Sequence, residues 1–225
     1  MSSNPPDSTA PRTTLTPFEV GTVTLMCFGW AVWGSLASVG DLGPPPGFTD
    51  AVLAEMAVFE AVVASAVIGF LYLRGYAVRS LVPVMTWRDT ALGAGLFLGV
   101  WLASALLLAP LVADFRAQPI AHMMRTTHVG VPMVAVFSLV NGAYEEVFLL
   151  AVLMRGVRGL GASTALGLVL LLRLLYHVYQ GPVGLLAVFL IGLCFGLAWL
   201  RTGRLWVLVV AHALWDFVPL MLAGS

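Results

Sequence analysis

From Val131 to Met154 the only ionisable side chains besides Tyr144 are the adjacent pair Glu145 and Glu146. A run this long and this apolar leaves few folds open. A helix needs about 20 mostly apolar residues to cross roughly 30 Å of hydrocarbon. Similar runs recur at 18–39, 51–73, 90–112, 131–154, 163–176, 183–200 and 205–222, of which only the fifth is short. Of the 225 residues, 60% are hydrophobic and 10% charged, against about 25% charged in a soluble domain. The sequence therefore predicts an all-α polytopic membrane bundle of about seven transmembrane helices. One membrane domain is expected over 17–225, behind a polar, Pro-, Ser- and Thr-rich disordered tail at 1–16. The first apolar run lacks the basic flank and small-residue cleavage site of a signal peptide.

All eleven basic residues are arginines, and their placement orients the bundle. Arg12, Arg74, Arg79, Arg88, Arg155, Arg158, Arg201 and Arg204 fall on one side; Arg116 and Arg125 fall on the other; Arg173 lies inside the fifth span. This bias predicts a cytoplasmic N-terminus, and seven spans would then leave the C-terminus outside. A net charge of zero gives no electrostatic reason to expect a nucleic acid. Cys27 and Cys194 both lie in apolar runs and read as small buried residues rather than a disulfide.

Three spans carry polar groups that an inert membrane helix would lack. The fourth has Asn141, Glu145 and Glu146; the fifth has Arg173 and His177; the seventh has His212 and Asp216. Asn141 and Glu145, Arg173 and His177, and His212 and Asp216 are each four apart, so each pair shares a helix face. Glu145 and Glu146 diverge by about 100°, so only one is expected to face a small site while the other takes its own partner. A lone His or a Glu–Arg bridge would be explained by helix packing alone. Groups on three helices point to convergence, because unpaired polar groups are costly in hydrocarbon. Counted at about 1.5 Å per residue, Glu145 and His212 lie about 15 and 12 Å deep, but His177 lies roughly 20 Å from the start of its span. The fifth span must then tilt or begin within the bilayer.

Such a cluster suits water attack on a carbonyl. One arrangement has a carboxylate as general base sharing a water with a neutral imidazole, while a second His donates to the oxyanion. This arrangement requires no cofactor. The other arrangement uses Glu145, His177 and His212 as a two-His, one-Glu set for a divalent metal such as zinc. No Ser–His or Cys–His pairing is as well supported, and phosphate-cradling glycine loops are absent. Glu55 and Glu60 in the second span could line substrate access; His122 and His128 in a loop at 113–130 read as solvated. Trp199, Trp206 and Trp215 read as packing or interface anchors.

The order Glu145-Glu146, then His177, then His212-x-x-x-Asp216 resembles the CPBP family of CAAX prenyl proteases and bacteriocin-processing (Abi) proteins. The resemblance covers roughly 131–220 and is reinforced by Tyr176-His177-Val178-Tyr179-Gln180-Gly181 and Thr202-Gly203-Arg204-Leu205-Trp206. It implies a glutamate-type intramembrane endopeptidase in a bacterial or archaeal inner membrane, acting on a membrane-anchored or lipid-modified peptide. Carried over, Glu145 is the general base and His177 holds the water. His212 and Asp216 line the oxyanion side; Glu146, Arg173 and Asn141 support them. The family commonly has Arg where this chain has Leu150, and Phe where it has Arg173. Arg173 is therefore expected to replace that Arg and pair with Glu146. An ionised Asp216 would repel an oxyanion, so it is expected either protonated or orienting His212. The alternatives are a non-catalytic immunity or scaffold protein of the same fold, and more distantly a proton-coupled transporter.

Overall fold

The computed structural model describes residues 12–40 and 46–223. Six helices are long and apolar enough to cross a membrane: α1 (Pro17–Ala37), α2 (Asp50–Leu73), α3 (Trp87–Arg116), α5 (Val131–Met154), α7 (Pro182–Thr202) and α8 (Leu205–Ala223). Between them lie the short surface helix α4 (Pro119–Arg125) and α6 (Ala162–Leu175). Helices α5 to α8 are thus the fourth to seventh expected spans, with ends within a few residues of those read from hydropathy. The segment expected as a plain loop at 113–130 differs. There α3 continues to Arg116, and Pro119 in the first turn starts α4, since its fixed φ suits that position. His122 on α4 is half-buried and His128 exposed.

Helix starts follow local chemistry. Thr49 and Thr86 accept from Val52 and Asp89 backbone N–H at the N-termini of α2 and α3, and Thr16 with Glu19 forms a capping box on α1. Residues 1–11 of the expected tail lie outside the described residues, as do two prolines of the loop after α1. Residues 12–16 are tied down. Arg12 pairs with the fully buried Glu19, which also accepts from Arg74 Nε at 2.9 Å, and Arg12 forms an isolated β-bridge with Tyr76.

Helix α5 is the centre of the bundle. Buried residues make up 72% of its most apolar window, against 39% or less in the other five long spans. It packs on α8 and α2, while α8 also packs on α3. Glycines permit the closest approaches. A Cβ on Gly142 of α5 would stand 3.0 Å from the Ala213 nitrogen of α8, and one on Gly93 of α3 would stand 2.7 Å from the Val207 carbonyl oxygen. Lipid competes for apolar surface as well as protein does, so close backbone contact of this kind is what holds membrane helices together.

Two departures from α-helix position the site. Immediately after Glu146, α5 widens into a π-helix over Val147–Met154, and α1 has a π-turn over Leu25–Gly29; such insertions often accompany functional positions. Helix α6 has 14 residues, about 21 Å, and cannot cross roughly 30 Å of hydrocarbon alone. It stops at Leu175, and the chain turns through His177 and a 3-10 turn at Val178–Gln180 into α7. Ser35 Oγ of α1 accepts from the Tyr179 backbone N–H at 3.1 Å. Non-helical backbone at membrane depth is tolerated where protein surrounds it in this way.

Candidate active site

Helices α5, α6 and α8 bring their polar groups to one place. Arg173 Nη2 donates to Glu146 Oε1 at 2.5 Å and lies 3.8 Å from Glu145 Oε2. This is the pairing expected across the fourth and fifth spans. Glu146 Oε1 also meets His212 Nδ1 at 2.6 Å. A carboxylate held by a guanidinium is an acceptor only, so Nδ1 carries the proton and donates. The other ring nitrogen, Nε2, faces Glu145 Oε2 at 3.9 Å and Asp216 Oδ2 at 3.7 Å. Asp216 Oδ2 in turn accepts from Asn141 Nδ2 at 2.8 Å. Glu145, Glu146, Arg173 and His212 are all buried.

The expectation that only one of the two adjacent glutamates would face the site is therefore corrected. Both reach His212, one at each ring nitrogen. Their Cα–Cβ bonds diverge, but each side chain has enough rotatable bonds to swing toward an imidazole lying between the two directions.

Glu145 has a second support that the sequence reading did not assign. Tyr176 donates its hydroxyl to Glu145 Oε2 at 2.5 Å. The Tyr176 ring stacks on Phe28 in the π-turn of α1, with centroids 5.3 Å apart, and Tyr144 donates to the Cys27 carbonyl in the same turn at 2.8 Å. Helix α1, featureless in sequence, thus braces both faces of the Glu145 segment. The available signal was position: Tyr176 lies three residues beyond Arg173, about one helical turn on, at the C-terminal cap of α6.

His177 lies beyond ion-pair distance of the carboxylates. Among the described residues it makes no ion pair with an acid. Its Nδ1 lies 2.9 Å from the Arg173 carbonyl, and a carbonyl can only accept, so Nδ1 bears the hydrogen and the neutral ring leaves Nε2 as an acceptor. Tyr176 and Tyr179 flank the ring at 4.4 and 6.1 Å. On α2, Glu60 is buried with Oε2 lacking a hydrogen bond, whereas Glu55 is exposed.

The three-residue metal set read from sequence is not what converges. The donors whose ligand atoms lie within 4.8 Å of one another are Glu145, Glu146 and His212, without His177. Arg173 already stands among them, 2.5 and 3.8 Å from the two carboxylates. A divalent cation placed there would meet a guanidinium at contact distance, and His212 Nδ1 is committed to Glu146. A metal at these residues would require Arg173 to move away and His212 to give up its bond to Glu146.

No curated protein and no solved structure matches this chain. Residues 127–218 match the family model of the Rce1-like type II CAAX prenyl endopeptidases. That segment holds Asn141, Glu145, Glu146, Arg173, Tyr176, His177, His212 and Asp216, every side chain of the cluster. Over residues 127–218 this multi-pass membrane protein is thus similar to the Rce1-like type II CAAX prenyl endopeptidases, a protease family, in agreement with the likeness of its motifs to the CPBP proteins.

Proposed function

We propose that the chain is an intramembrane endopeptidase that hydrolyses a peptide bond of a membrane-tethered or lipid-modified substrate with a water activated by Glu145. The observation that carries this reading is the two-sided placement of His212. Glu146 holds one ring nitrogen, while the other faces Glu145 and Asp216 across gaps of 3.9 and 3.7 Å. Those gaps exceed a hydrogen bond, so Nε2 has no direct partner beside the Glu145 carboxylate and is left to meet a water or a developing oxyanion.

In this reaction Glu145 takes a proton from the water as its oxygen attacks the scissile carbonyl carbon. The carbonyl π electrons move to oxygen. His212, as imidazolium, gives Nε2–H to that oxyanion while Nδ1–H stays on Glu146. Glu145 then passes its proton to the amide nitrogen, the oxyanion electrons re-form the carbonyl as the C–N bond breaks, Nε2–H remains with His212, and an acid and an amine leave. His177 Nε2 is the acceptor that holds the water, and Tyr176 keeps the Glu145 carboxylate in place. Asp216, fixed by Asn141, orients His212 instead of donating to the oxyanion. The Glu146–His212 pair works as a carboxylate–imidazole dyad, in which the acid fixes the tautomer and direction of the ring. The positive charge that balances the acids comes from Arg173, and no step runs through a metal.

The test is cleavage of a membrane-anchored peptide by purified protein in lipid. Glu145→Gln is expected to lower turnover by about 10²–10⁴-fold, the range for a removed general base, with folding unchanged. Equal cleavage by wild type and Glu145→Gln would refute the assignment. A non-catalytic scaffold would bind the peptide in both forms and cleave it in neither; a transporter would instead move substrate across sealed vesicles.

A further inference from the structure

The arginine-rich end of the bundle holds a second feature, unconnected to the catalytic cluster. Where α5 and α7 end, a cavity of about 250 Å³ is lined by Met154, Arg155, Arg158, Trp199, Arg201 and Gly203, among others. Three guanidinium-bearing residues line it and no acid does. Elsewhere at this end Arg12 and Arg74 pair with Glu19, and Arg204 with Asp89 at 2.7 Å, while Arg79 and Arg88 stand without a carboxylate partner among the described residues but do not line this cavity. Among the described residues, none of the cavity arginines pairs with a carboxylate. Arg155 is held without an acid. It donates to Ser80 Oγ at 3.1 Å and its guanidinium carbon lies 5.6 Å above the Trp199 ring. Arg158 and Arg201 are exposed and make no side-chain hydrogen bond among the described residues.

A bland explanation accounts for part of this. Arg201 lies in the last turn of α7, where a cation complements the helix dipole. That does not explain three arginines gathered around one cavity with no counter-charge. The site also lies at the ends of membrane-spanning helices, the depth of lipid headgroups, where basic pockets between helices take up anionic lipids. Guanidinium forks match phosphate oxygens in geometry as well as charge. We propose that this cavity binds a phosphate group, with an anionic phospholipid headgroup as the source its depth suits. The inference is independent of the peptidase reading.

The test uses the full chain, as wild type and as Arg158→Gln/Arg201→Gln, in nanodiscs of phosphatidylcholine with and without phosphatidylglycerol. Retained lipid is counted by native mass spectrometry, and inorganic phosphate is titrated as competitor. Wild type should retain phosphatidylglycerol preferentially. The double variant should bind it about 25-fold more weakly, at about fivefold per arginine near the surface. Arg158→Lys/Arg201→Lys, which keeps the charge, should recover most of the affinity. Size-exclusion and circular dichroism profiles of all forms establish that they are folded. Displacement of the lipid by inorganic phosphate would make a soluble anion the source; retention against it would make the lipid the source. Equal retention by wild type and the double glutamine variant, with no phosphate bound by either, would overturn the proposal.

Discussion

Replacing Arg173 by Leu removes the guanidinium from the cluster and leaves Glu146 buried. Both partners are out of contact with water: Arg173 is 3% exposed and Glu146 0%. Their contact is a single hydrogen bond, not a fork, because Glu146 Oε2 and Arg173 Nε make none. Breaking a buried pair by removing one member costs about 3–5 kcal/mol, since a charge is stranded in low dielectric. Removing both members abolishes the stranded charge, and apolar replacement of a buried pair is often neutral or stabilising by about 1–4 kcal/mol. Here Glu146 also accepts from His212, and that lost bond returns a penalty of about 1–3 kcal/mol. Arg173→Leu alone is therefore expected to lose about 3–5 kcal/mol, and Arg173→Leu with Glu146→Leu to lie within about 2 kcal/mol of wild type. Reversible unfolding in mixed micelles, with the yield of monodisperse protein as a second readout, measures both. A double variant as unstable as the single one would refute the argument. It would mean that Arg173 is held by its packing against Phe195, 6.0 Å from its ring centroid, and not by Glu146. Activity should be absent from the double variant, which lacks the Glu146 carboxylate that fixes the His212 tautomer.

Three further outcomes follow from the geometry. Tyr176→Phe removes the hydroxyl that holds Glu145 at 2.5 Å; a hydrogen bond to a charged group is worth about 1.5–3 kcal/mol, so the variant should be destabilised by about that much in a thermal melt and should lose peptide turnover as Glu145 leaves its position. Gly142→Ala places a methyl 3.0 Å from the Ala213 nitrogen and 3.2 Å from the Val209 carbonyl oxygen, and overpacking of this sort costs about 1–3 kcal/mol. Gly95→Ala, with nothing within 4 Å, is the control and should be neutral in a thermal melt. Extraction with a strong chelator should leave cleavage unchanged, with metal content measured on the same sample, because Arg173 occupies the position a cation would take.

The sequence by itself determined the class of fold and the identity of the groups that meet. Runs of about 20 apolar residues can satisfy their backbone in hydrocarbon only as helices, so seven segments could be placed from hydropathy. A charged or polar side chain in such a helix is costly, so Asn141, Glu145, Glu146, Arg173, His177, His212 and Asp216 stood out; the match of Arg173 with Glu146 came from the family resemblance, in which an Arg is common where this chain has Leu150. What only the tertiary structure decided is direction. Helical spacing gives the direction of a Cα–Cβ bond but not the path of a long side chain, so both glutamates reach His212 against expectation. His177 turns to the Arg173 carbonyl instead of the carboxylates because α6 ends at Leu175 and the chain bends there. Tyr176 and Phe28 are 148 positions apart, and no local pattern signals that one braces the other. Glu19, in the first turn of α1, carries no sequence signal of its fate; folding buries it between Arg12 and Arg74. Contacts of this kind are set by which helices lie side by side, and apolar helix surfaces of similar composition carry little record of that choice.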